Sequence, residues 1–83
     1  MPDQSPDLTV VPAPTLRRLP RYLHTLQVLR QRGREVVSAN HIADDLKLDP
    51  TQVRKDLAYT GLAGRPKVGY STEELITAIE TFL

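Results

Sequence analysis

Arg54 and Lys55 are adjacent, Gln52 lies just before them, and Arg65 and Lys67 follow in a segment punctuated by Gly61, Gly64 and Gly69. Arginine and lysine side chains match guanine O6 and N7 or a flanking phosphate, so this set points to recognition of a nucleic acid rather than to bond making. The plainer reading of Arg54 and Lys55 is a solvated surface pair beside Asp56. Catalysis has little to stand on: His24 and His41 are far apart, no cysteine accompanies them, and Asp44 and Asp45 are neighbours that point to different sides of a helix. The glycines invite a phosphate loop, but their spacing matches neither G-x-G-x-x-G nor G-x-x-x-x-G-K-[ST]. Gly61-Leu62-Ala63-Gly64 does match the G-x-x-G of a KH-type RNA clamp, weakly, because its two central residues are apolar and a basic strand follows.

Elements must hold these side chains in place. Lys47-Leu48-Asp49-Pro50 is a turn in which Asp49 can cap the next helix and Pro50 suits its first position, with Gln52 completing a capping-box-like pattern. The helix from Pro50 to about Tyr59 carries Val53 and Leu57 on one face and Gln52, Arg54 and Lys55 around the other; Gly61 closes it. Ahead of it Ser38 caps a helix with Ile42, Ala43 and Leu46 inward. Leu62 to Tyr70 reads as a basic loop leading into a short strand at Val68 and Tyr70, and Glu35-Val36-Val37 as a small strand beside it. Leu16, Leu19, Leu23 and Leu26, with Tyr22 and Leu29, predict an amphipathic helix from Pro14 to about Arg32, ended by Gly33. Pro20 requires that helix to start late or to bend. Ser71 and Glu74 form a capping box for a last helix with Leu75, Ile76, Ile79, Phe82 and Leu83 along one side. The fold class expected is mainly α with a small β-hairpin, a winged helix-turn-helix, in which two helices and the loop after them approach DNA.

Composition bounds the rest. Three of the seven prolines and no basic residue fall in residues 1–13, which read as a flexible tail ahead of a winged-helix domain over 14–83. With no cysteine there is no disulfide framework and no thiolate metal site, and no membrane span or leader is legible, so the expected address is cytoplasmic. Net charge is only +1, yet residues 17–34 carry +6 and residues 54–67 carry +3. Those blocks are the parts of a winged helix that would meet phosphates. The apolar end at Phe82-Leu83 predicts a chain cut from a longer one, or a last turn that docks on something outside it.

Taken together, T-L-R-R-L-P-R-Y-L (15–23), D-P-T-Q-V-R-K-D-L-A-Y-T-G (49–61) and G-R-P-K-V-G-Y (64–70) closely resemble the N-terminal DNA-binding domain of the Rex family of redox-sensing transcriptional repressors. The resemblance implies a homodimer in full-length form, bound to a double-stranded inverted-repeat operator and released when NADH binds a C-terminal Rossmann domain. It places Arg17 or Arg18 and Arg21 near the DNA backbone, Gln52, Arg54 and Lys55 in the major groove, and Arg65, Lys67, Gly69 and Tyr70 in the wing and its base. Pro66 stands where many relatives are richer in glycine and should stiffen the wing. No G-x-G-x-x-G occurs, so no cofactor is expected in this chain, NADH or NAD being expected only in the domain it lacks. The expected function is operator reading, not enzymatic; the rival is a winged-helix module that binds protein and never meets DNA.

Overall fold

The computed structural model describes residues 11–83, so the tail expected over 1–13 lies almost wholly outside the described residues. The order of elements is α1 (Ala13–Gln31), β1 (Val36–Val37), α2 (Ala39–Leu46), α3 (Pro50–Ala58), β2 (Tyr70–Ser71) and α4 (Thr72–Glu80). Helix α1 starts early and runs through Pro20. Proline cannot donate to the Leu16 carbonyl, but both residues are exposed and water can take the place of the missing donor. The inward face of α1 is Thr15, Leu19, Tyr22, Leu26 and Leu29. Leu16, expected on that face, is 40% exposed, because the 3-4-3-4 spacing back from Leu29 lands on Thr15 instead.

Each later helix begins at a side-chain cap. Ser38 Oγ accepts from the His41 amide at 3.0 Å, Asp49 Oδ1 from the Thr51 amide at 2.9 Å, and Ser71 Oγ from the Glu74 amide at 3.2 Å. The box expected around Asp49 does not close as the sequence suggested: Gln52 turns away from the cap toward Asp56. Ile42 and Ala43 of α2, Val53 and Leu57 of α3, and Leu75, Ile76 and Ile79 of α4 close over the Tyr22 and Leu26 side of α1. Burial of this set supplies the cohesion of a domain with few polar interior groups. Phe82 and Leu83 fall past the end of α4 and stay exposed at 39% and 63%, outside the stripe they were expected to extend.

Strands β1 and β2 pair antiparallel, Val36 opposite Ser71 and Val37 opposite Tyr70. This ladder fixes the base of the hairpin loop that follows α3, and the loop itself is closed by a second bridge between Arg65 and Gly69. Four helices and this small ladder make a winged helix-turn-helix, with α2 and α3 as the two helices and 64–70 as the wing.

Candidate nucleic-acid interface

Helix α3 divides its side chains sharply. Val53, Asp56 and Leu57 are buried, while Thr51, Arg54, Lys55 and Ala58 are exposed and Gln52 lies between. Arg54 makes only long contacts, to Asn40 Oδ1 at 3.5 Å and Thr51 Oγ1 at 3.4 Å, so its guanidinium stays free to reorient toward a ligand. Lys55 stands one position on, at the mouth of a shallow recess shared with Ala58 and Tyr59.

The wing is a tight turn. The Arg65 carbonyl accepts from the Val68 amide at 3.1 Å and the Gly69 amide at 2.8 Å, and the Arg65 amide donates back to the Gly69 carbonyl at 2.9 Å. Pro66 occupies the first corner, which its fixed φ suits, and Lys67 the second, at φ +67°. That second corner favours glycine; a lysine there costs about 1–2 kcal/mol in the left-handed region. The turn places Lys67, exposed, at the tip of the wing. Gly69, at φ +90°, has no alternative, since a Cβ would lie 2.5 Å from the Val37 carbonyl oxygen. Tyr70 is buried under Gly64, where it anchors the wing to β1 rather than facing outward.

Arg54 from α3, Ser38 and Asn40 at the start of α2, and Arg65 and Lys67 from the wing line one open groove of about 400 Å³. Residues far apart in sequence thus present three cations to a single concavity. Arg17 and Arg21 are exposed on α1, and Arg21 reaches the Leu46 carbonyl at the end of α2 at 3.4 Å. Arg18 is differently placed. Its Nε and Nη2 donate to Asp56 at 2.6 and 3.0 Å, so its charge is spent inside the protein.

Asp56 is the residue behind this surface that sequence reasoning missed. In the sequence it stands only as the neighbour of a solvated Arg54–Lys55 pair; in the fold it is 0% exposed and accepts from five donor atoms. Thr15 Oγ1 at 2.8 Å, Arg18 Nη2 and Gln52 Nε2 at 3.0 Å converge on Oδ1, and Arg18 Nε and the Tyr22 hydroxyl on Oδ2. Burial alone would raise its pKa, but the donated bonds from Arg18, Tyr22, Thr15 and Gln52 win and hold it at about 2. Tyr22 moves the other way, pushed up by burial and by its bond to the carboxylate. The cluster ties α1 to α3. A signal existed: Asp56 follows Val53 by three positions and Gln52 by four, which puts it on the inward arc of the helix.

Comparison with known proteins bears on what this surface meets. Residues 10–58 match a family model described as "Putative DNA-binding protein N-terminus". The redox-sensing transcriptional repressor Rex of Bacteroides thetaiotaomicron is 46% identical over 80 residues, 96% of this chain and 36% of the relative. That of Treponema denticola is 52% identical over 71 residues, 86% of this chain and 34% of the relative. A crystal structure of RSP in complex with beta-NAD+ and operator DNA superposes with a TM-score of 0.80 at 30% identity, covering 88% of this chain and 34% of that one. The chain therefore spans about a third of the length of the curated relatives it matches. With the family model matched over more than half its length, the chain belongs to the Rex-type N-terminal DNA-binding family.

Proposed function

We propose that residues 14–83 are the operator-reading unit of a redox-sensing transcriptional repressor. The observation that carries this reading is the single groove lined by Arg54, Arg65 and Lys67, on a fold that superposes on an operator-bound relative. Gln52, Arg54 and Lys55 are assigned to the major groove, Arg65 and Lys67 to the wing's contact with the minor groove or its phosphates, and Arg17 and Arg21 to the backbone near α1. Gly69 and Tyr70 shape the wing from its base. Arg18, spent on Asp56, supports that surface from behind. In a protein of the relatives' length, two such units on an inverted repeat would form the working dimer, and the nucleotide response would lie outside residues 14–83.

A band-shift titration across salt tests the reading. Neutralised phosphates release counterions, so log K should fall linearly with log salt, by about 0.9 per phosphate contact. Alanine at a base-contacting Arg54 or Lys55 should cost about 1–3 kcal/mol and relax preference at one base pair, whereas loss of a phosphate contact should lower the slope by about 1. Wild-type affinity in both single variants would remove α3 from the interface; salt-independent retention of nothing but protein partners would favour a protein-binding module instead.

A further inference from the structure

We propose that Gln52 is an adenine-reading side chain whose amide is held in one orientation by the buried carboxylate of Asp56. The proposal rests on the DNA-binding reading above and adds to it a specificity residue and the group that positions it. A free glutamine on a helix surface presents its oxygen or its nitrogen with equal ease. Gln52 does not have that freedom. Its Nε2 donates to Asp56 Oδ1 at 3.0 Å, and a carboxylate only accepts, so the flipped amide would set two acceptors against each other at that distance.

The carboxylate cannot swing to accommodate a flip. Thr15, Arg18 and Tyr22 clamp it from α1, with Arg18 bound through both Nε and Nη2. It is also ionised throughout the neutral range, because those donated bonds outweigh the cost of its burial. With one N–H turned inward, Gln52 keeps Oε1 and its second N–H, and the residue remains half-buried at the rim of the outer face, one turn before Lys55. A donor beside an acceptor is the pattern that adenine N7 and N6 match in the major groove; guanine, with two acceptors, meets Oε1 unfavourably. Holding the amide before contact also reduces the rotamer freedom lost on binding.

The test is a selection by the folded chain from a library of randomised duplexes, with Gln52→Met and Asp56→Asn alongside the wild type. The wild type should enrich adenine at one position of the bound site. Gln52→Met should flatten that position by roughly 5- to 150-fold and leave the others, this being the range for one good bidentate contact. Asp56→Asn, whose own amide no longer forbids the flip, should flatten the same position. Should Asp56→Asn fail to fold, proton and nitrogen magnetic resonance of the wild type decides the positioning. One Nε2 proton of Gln52 should be shifted downfield and exchange more slowly than either of those of exposed Gln31. Unchanged preferences in Gln52→Met would overturn the adenine assignment, and Gln52 amide protons that exchange like those of Gln31, or a folded Asp56→Asn weakened uniformly at every position, would overturn the role of Asp56. A wild type that retains no duplex at all would remove the DNA-binding reading and this inference with it.

Discussion

A carboxylate with no exposure and five donors is an expensive thing to keep inside a domain of this size, and its cost makes it testable. Removing one partner of a buried ion pair strands the other, typically at about 3–5 kcal/mol, so Asp56→Ala should leave Arg18 unpaired and lower the melting temperature by several degrees or more. Proton linkage gives the same group a pH signature. Its pKa is lowered in the folded protein from an ordinary 3.8 to about 2, so the folded state binds fewer protons than the unfolded state between those values. The stability it contributes is therefore present above pH 3.8 and lost as pH falls toward 2, on the order of 2 kcal/mol in all. Chemical denaturation at pH 5, 4, 3 and 2.5 should show this fall, and Asp56→Asn should show less of it than the wild type. Equal slopes would mean that other carboxylates carry the acid transition.

Among the elements, what the sequence made legible was whatever short-range chemistry decides. Ser38 and Ser71 cap the helices that their positions announced, and Gly61 takes the left-handed position after α3 at φ +87°. The Val36 and Tyr70 runs pair as short strands, but the second is Tyr70–Ser71, and Val68, expected in it, is drawn into the wing's turn by its amide's bond to the Arg65 carbonyl. What was not legible depends on distant residues meeting: Asp56 lies 41 residues from Thr15 and 38 from Arg18, so a run reading R-K-D looks like a solvated face until α1 is laid across it. For the same reason Arg17 and Arg18 could not be told apart, though one is exposed and the other engaged. The wing shows a local conflict of a different kind. Lys67 occupies a corner that suits glycine, and such strain persists where the side chain has a use. Lys67→Gly should therefore raise stability by about 1 kcal/mol while weakening DNA binding and lowering its salt slope by about 1. Gly69→Ala should do the opposite on the stability axis: its Cβ would collide with the Val37 carbonyl and part β1 from β2. Thermal melts paired with band shifts on the two variants check both, and a Lys67→Gly protein that gains stability without losing affinity would leave the lysine unexplained.

Across the whole molecule, a net charge of +1 conceals two basic blocks, residues 17–34 and 54–67, separated by an acidic one. Folding places Arg54, Arg65 and Lys67 around one groove, so the field a duplex would meet is set by that groove and not by the total. Operator affinity in a dimer then has two parts, the contacts of each unit and the gain from linking two units whose half-sites lie about 34 Å apart. Residues 14–83 taken by themselves should show the first part with little of the second. Their binding to a single half-site should match that to the full inverted repeat within a few-fold, and joining two copies by a linker long enough to span the half-sites should restore roughly 100-fold or more. On the proposed function, a nucleotide response would lie outside residues 14–83. Residues 14–83 contain no G-x-G-x-x-G, so a calorimetric titration of NADH into this chain, with and without a duplex, should give no saturable heat and release no DNA. Saturable heat with residues 14–83 alone would place a nucleotide site within the winged helix.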